Sequence, residues 1–428
     1  MQKYLRWTAV LAVVLLVLAA CNNQGGSQEP STSGGASQTS GASGDAAAAC
    51  ADDEFGCVEV GPDDPIVLGT SLVITGPNAS LGLDSQYGAQ VALNLRGQVL
   101  GHDVELDNQD DGCSADGGTA SANLLKAKPE IAAVIGTSCS SAGIPAAQIL
   151  SEVGILLVSP SNTAPSLTDP ASHEPFYART AHNDKVQGAA MAKFACEELG
   201  AASAATIHDG SPYAQQLQQV FADEFTSQCD GKVTMQEAVS VGQTDFNSLL
   251  SSIATSNDGA APDLLYYPIF TAEGALITQQ ARENSALDDT DLAGADGLFN
   301  PEFLAGAGDA AENMYLSGPD LAFSGNFYED TFKPAYTEVS GEDAPISVFH
   351  AHAFDAANMI LDAIEAVAIQ DADGTLHIPR TALRDRFFET KNYEGITGTL
   401  TCDENGDCAD AKISVSQVQN GEYVRIWP

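Results

Sequence analysis

Short β-branched apolar runs alternate with amphipathic stretches along most of this chain. Residues 65–74 (PIVLGTSLVI), closed by Thr75-Gly76-Pro77, read as a buried strand. Residues 84–95 place Tyr87, Val91 and Leu95 four apart, on one face of a helix. Further strands are expected at 104–106, 131–135 and 155–158, with helices at 120–127 and 143–153. The pattern restarts after Asn183, with helices at 183–199, 214–228, 246–255 and 273–283. Strands at 204–207, 232–237 and 264–267 lie between them. A long helix is expected over 351–369, then a hairpin whose turn is Asp403-Glu404-Asn405-Gly406-Asp407. Strands separated by helices mean parallel βαβ construction. The expectation is an α/β fold of two successive doubly wound halves.

The front of the chain reads differently. Lys3 and Arg6 precede an apolar run over 9–18, and Leu18-Ala19-Ala20-Cys21 closes it. A positive start, a short apolar core and a small-residue cleavage site read as a secretory signal. The run is shorter than the roughly 20 residues a bilayer span needs. Its end closely resembles the lipobox of bacterial lipoproteins. That resemblance implies that residues 1–21 are a lipoprotein signal segment, with Cys21 lipidated and first in the mature chain. The chain would then be exported and lipid-anchored to the cell membrane, facing the periplasm or the outside. Residues 22–49 are Gly, Ser, Ala, Gln and Thr with almost no large apolar residue, a composition that cannot bury a core. As a flexible tether they would span roughly 30 Å in root-mean-square terms. The tether is expected to run over 22–64, and no later stretch is apolar for long enough to cross a bilayer.

The length beyond residue 64 exceeds what one core usually serves, so two lobes are expected. The 58 acidic residues outnumber the 17 basic ones, for a net charge of −41. Nucleic-acid binding needs basic patches and is excluded on that balance. The acid is spread along the chain, which favours solubility and self-repulsion; surroundings where salt screens the repulsion would suit it. Setting Cys21 aside leaves eight cysteines. Their number agrees with an oxidising compartment. Sequential pairing is the simplest, giving 50–57, 113–139, 196–229 and 402–408. Zinc is the rival, but there is no Cys-x-x-Cys and no His at ligand spacing. No metal or cofactor is expected.

Enzyme signatures are missing: no G-x-S-x-G, no H-E-x-x-H and no Walker loop occurs. Asp371-Ala372-Asp373-Gly374 hints at a calcium loop but lacks the remaining oxygen ligands, so it reads as a surface turn. His350 and His352 are two apart and would not share a helix face. Asp110-Asp111 reads as a solvated strand-end loop. Two loops carry more. Gly136-Thr137-Ser138-Cys139-Ser140-Ser141 follows a strand and opens a helix, and Ser159-Pro160-Ser161-Asn162-Thr163 follows the next strand. In open α/β sheets ligands sit beyond the carboxyl ends of strands. A helix N-terminus there suits a carboxylate, and the hydroxyls of Ser140 and Thr163 could add to it. Helix capping explains the same serines, and composition does not separate the two readings.

VIGTSCSSAGIPAAQIL (134–150), GILLVSPSNTAPSLT (154–168) and FYART (176–180) resemble the branched-chain amino acid-binding proteins of bacterial ABC transporters. IHDGSPYAQQL (207–217), residues 262–267 and the GxLTCDENGD stretch (398–407) continue the likeness over most of 65–427. The order and spacing of these stretches carry it more than any single motif. The resemblance implies two Rossmann-like lobes joined by a three-strand hinge, the type I periplasmic-binding-protein fold, closing on ligand. Lobe 1 would comprise 65–182 and 318–398, and lobe 2 would comprise 183–317 and 399–428. Ser140, the backbone at Ser161, and Thr163 would hold the amino-acid carboxylate. Asp296, in a place where the family carries an acidic residue, would pair with the ammonium; it is shorter than the usual Glu. Tyr213 would close over the ligand, and Phe270 and Leu81 would surround its side chain. Cys113–Cys139 matches a family disulfide beside the carboxylate loop. The implied protein is a non-enzymatic, monomeric binding subunit that passes an apolar amino acid to an ABC permease. A ligand-sensing receptor module, or a binder of amides, urea or short peptides, is the alternative.

Overall fold

The computed structural model describes residues 42–428, so Cys21 and the signal segment lie outside the described residues. In chain order the first elements are helix α1 (Ala42–Asp52) and strand β1 (Cys57–Val60). The expected tether therefore ends earlier than residue 64. Two forces order this stretch: a Cys50–Cys57 disulfide closes it, and β1 alternates inward Val58 and Val60 with outward Glu59.

The first lobe is a parallel sheet of β2 (Ile66–Leu72), β3 (Val104–Asp110), β4 (Ile131–Gly136), β5 (Leu156–Ser159) and β6 (Tyr177–Arg179). Its spatial order is β3-β2-β4-β5-β6. Between the strands run α2 (Ala79–Arg96), α3 (Ala115–Lys126) and α4 (Ser140–Ser151). Every residue of β4, IAAVIG, is buried, as a parallel strand covered on both faces requires.

The second lobe begins at α5 (Asp184–Glu197) and alternates β7 (Ser203–His208), α6 (Pro212–Cys229), β8 (Lys232–Ala238), α7 (Asn247–Ile253), β9 (Leu264–Tyr266) and α8 (Thr271–Glu283). Strand β10 (Asp291–Gly294), α9 (Pro301–Ala307) and β11 (Tyr315–Pro319) complete the run. Side chains of Asn183, Ser211 and Asn300 cap α5, α6 and α9, with Pro212 and Pro301 in the first turns.

The chain then returns to the first lobe with α10 (Lys333–Ser340) and α11 (His350–Val367), whose apolar face packs with α2 against the sheet. Strands β12 (Ile369–Gln370) and β13 (Leu376–Pro379) follow, then α12 (Arg380–Phe388), β14 (Tyr393–Glu394) and β15 (Thr399–Leu400). The 371–374 stretch is the turn between β12 and β13, and β1 pairs with β13 to make a three-stranded sheet. Finally β16 (Ile413–Gln419) and β17 (Glu422–Trp427) add antiparallel to the edge of the second sheet, whose order is β17-β16-β11-β10-β9-β7-β8. The chain passes between the sheets three times, through 180–183, 320–327 and 409–412.

Two expectations are corrected here. The terminal hairpin is β16–β17, and its turn is Asn420-Gly421, not 403–407. Both residues have positive φ, 55° and 76°, which a two-residue hairpin turn of right-handed twist needs. Residues 399–408, expected with the second lobe, pack into the first: Leu400, Cys402 and Cys408 are buried in its core. An ion pair between buried Arg179 and half-buried Asp407 holds that loop in place. The structure joins Cys402 to Cys408, Cys113 to Cys139 and Cys196 to Cys229.

Candidate ligand site between the lobes

The carboxyl ends of β4 and β5 carry the first half of the site. Gly136 has φ of +148°, and a Cβ there would lie 2.2 Å from the Ser71 carbonyl; only glycine lets the chain leave β4 this way. The next residues are held from below. Asp111, 0% exposed, accepts the Ser138 N–H at 2.7 Å and the Cys113 N–H at 2.8 Å. It is not the solvated loop residue its neighbour Asp110 suggests. Burial pushes its carboxyl up to about 7, against the pull of those N–H groups. With the Cys113–Cys139 bond it fixes the N-terminus of α4.

Ser140 opens α4, and its Oγ accepts the Ala164 N–H at 3.2 Å, tying the two loops together. Its hydroxyl proton stays available to a ligand. Ser161 differs from the expectation. Its N–H donates to Ser159 Oγ at 3.2 Å and its hydroxyl to the Ser138 carbonyl at 2.9 Å. Both donors are spent inside the lobe, so its backbone can offer a ligand only the carbonyl, which suits a cation. Thr163 is buried, and its Oγ1 faces the Asp184 carboxylate without a well-formed hydrogen bond. Arg179 supports this loop from beneath: Nη1 donates to the Asn162 and Ala164 carbonyls at 3.2 and 3.0 Å. The paired Asp407 is held below the usual carboxylate range, because the Arg179 charge outweighs the raising effect of burial.

The second half begins where the chain crosses over. The Asp184 N–H donates to the Thr163 carbonyl at 3.0 Å. One turn on, Gln187 Nε2 donates to Asp296 Oδ1 at 2.7 Å, and Tyr213 OH donates to the same oxygen at 3.1 Å. Gln187 Oε1 faces His182 Nε2, whose burial keeps the ring neutral. An unbroken run therefore links Ser140, Thr163, Asp184, Gln187, Asp296 and Tyr213. Phe270 lies against Tyr213, ring centroids 5.2 Å apart. Leu81 packs in the same apolar cluster as Val73, Cys139 and Tyr213, which draws on both lobes. The seven expected residues thus fall around one place, six of them buried and Phe270 partly so.

Asp184 was not expected. It is 0% exposed, and its carboxylate faces the Thr163 hydroxyl, with no well-formed hydrogen bond to either oxygen. Burial and the nearby Asp296 charge raise its carboxyl well above the ordinary range, and burial raises that of Asp296 too. Tyr266 adds a buried hydroxyl that faces Ser317 without a well-formed hydrogen bond. Two desolvated carboxylates with only a neutral imidazole and the committed Arg179 beside them make a site for a cation. The N-terminus of α4 and the Ser140 proton can receive an anion, while the Thr163 hydroxyl is turned to Asp184. The arrangement can take both charges at once. In sequence, an aspartate opening a helix looks like any N-terminal acid, which is why Asp184 escaped notice.

The chain matches the periplasmic binding protein family over residues 65–422. It is 28% identical over 366 residues to the Leu/Ile/Val-binding protein BraC3 of Rhizobium johnstonii, covering 84% of this chain and 93% of that one. It is 29% identical over 357 residues to a leucine-, isoleucine-, valine-, threonine- and alanine-binding protein of Pseudomonas aeruginosa, covering 82% and 89%. Among solved structures it resembles a leucine-binding protein of Thermotoga maritima, with a TM-score of 0.74 and 28% identity over 84% of this chain and 97% of that one.

Proposed function

The chain belongs to the periplasmic binding protein family, a family of solute binders and not of enzymes, and from that premise we propose that it captures apolar amino acids for an ABC importer. The observation that carries this reading is the pairing of a neutral anion cradle at Ser140 and the N-terminus of α4 with two buried carboxylates, Asp184 and Asp296. A zwitterion answers both halves. A ligand lacking the ammonium would leave buried carboxylates unpaired, which is costly. Around the charged centre, Leu81, Tyr213 and Phe270 present apolar surface and no side-chain charge, which favours leucine, isoleucine or valine over acidic or basic amino acids. The names of the relatives point the same way.

In this reading Ser140 and Thr163 hold the carboxylate, while Asp296, Asp184 and the Ser161 carbonyl hold the ammonium. Tyr213 and Phe270 cover the side chain. Ligand contacts from both lobes favour the closed arrangement, so closure is a population shift driven by binding. The lipobox-like Cys21 makes the protein an exported lipoprotein, held near its permease by the Gly/Ser-rich segment behind it. Mass spectrometry of the full chain, purified without dialysis and sprayed under native conditions, tests the assignment. A bound mass equal to leucine, isoleucine or valine is expected. A bound amide, urea or aromatic acid would overturn the amino-acid assignment.

A further inference from the structure

Away from the candidate site, polar side chains of the two lobes also meet. Gln216, on α6 of the second lobe, faces Ser166 in the loop after β5 of the first. The Ser166 N–H donates to Gln216 Oε1 at 2.9 Å, and Gln216 Nε2 donates to Ser166 Oγ at 2.9 Å. On α9 of the second lobe, Glu302 Oε1 accepts the Ser80 hydroxyl at 2.6 Å from the first turn of α2. In the first sheet β2 and β5 lie on opposite sides of β4; in the second, β10 and β7 lie on opposite sides of β9. The two contacts therefore stand on opposite flanks, with the candidate site between them.

We propose that Gln216 and Glu302 are paired latches that hold the lobes closed and set how long a ligand stays, without touching it. The inference rests on the binding reading above. Each contact joins groups carried by different lobes, so it exists only when the lobes are together. Gln216 and Ser166 are half-buried, and the exposed Glu302 reaches a buried Ser80; away from open water a hydrogen bond keeps more of its strength. Opposing flanks matter because a single latch would leave the lobes free to swing about it. Latch energy enters only the open–closed equilibrium, and the ligand's apparent affinity scales with the closed fraction.

The test is stopped-flow fluorescence of the full chain with L-leucine as probe. Gln216→Ala and Glu302→Ala should each raise the dissociation rate about three- to tenfold with little change in association rate. Glu302→Gln keeps an acceptor for Ser80 and should keep the wild-type rate. Unchanged dissociation in both alanine variants overturns the latches. If wild type gives no signal with leucine, isoleucine or valine, the ligand reading fails separately, and the latches are read without ligand. Spin labels at the exposed positions Asn94→Cys and Asp223→Cys then report the lobe separation. The double alanine variant must lose the short-distance population; an identical distance distribution overturns the proposal.

Discussion

Asp184 and Asp296 face the same water-poor space, and both carboxyls are held above the ordinary range, first by burial and, for Asp184, by its neighbour's charge. An ammonium needs them ionised, so protons compete with it. As pH falls through the raised values the carboxylates become neutral, and affinity for leucine is expected to fall as the solution is made more acidic. Calorimetry over a pH series checks this; a flat profile would remove the carboxylates from the site. Asp296→Asn keeps the shape and the hydrogen bonds but removes the charge. It should weaken leucine binding at least tenfold, the worth of about 1.5 kcal/mol for a charged hydrogen bond. Asp184→Asn should do likewise if both share the ammonium. Asp296 was legible because a family segment surrounds it. Asp184 and Asp111 were not, because a buried carboxylate satisfied by a fold, or waiting for a ligand, is spelled like a solvated one.

At the scale of elements, the parallel strands were the most legible part. Strands such as 131–136 must be apolar on both faces, and no loop shares that composition. Helix starts were less legible, since α3 and α4 begin several residues before their apolar periods do. The N-terminal strap was missed because its helix, ASGDAAAACAD, continues the small-residue composition of the tether. Its ordering signal lay just beyond, in Cys50, Phe55 and Cys57. Asp53 caps α12, accepting the N–H groups of Thr381 and Ala382 at 2.9 and 3.3 Å. Phe55 packs edge-on against Phe176 at 5.1 Å. Opening the short Cys50–Cys57 loop should cost about 2 to 3 kcal/mol by chain entropy. The Cys50→Ser, Cys57→Ser double variant should therefore unfold at lower denaturant than wild type, with its leucine affinity kept. Equal midpoints would mean that β1 and the Asp53 cap hold the strap without the disulfide.

Over the whole molecule, burial of acid shapes the response to pH. Asp111 is pushed up to about 7 and Asp355 to about 6, both by burial. A raised carboxyl binds protons more readily folded than unfolded. Its contribution is present at low pH and is lost as pH rises through about 4 to 7. Asp84 and Asp407 sit below the ordinary range, so their contribution is lost only in stronger acid. The net charge of −41 adds repulsion in the same direction. His182 and His352, pulled down by burial, oppose this mainly below about pH 6.5. Melting should therefore occur higher at pH 7 than at pH 8, and added salt should narrow the gap by screening. Capture of an apolar zwitterion is decided by isothermal titration of L-leucine into the folded full chain at pH 8. Saturable heat with one site per chain is expected, abolished or greatly weakened in Asp296→Asn. A folded protein that gives no heat with leucine, isoleucine or valine would contradict it.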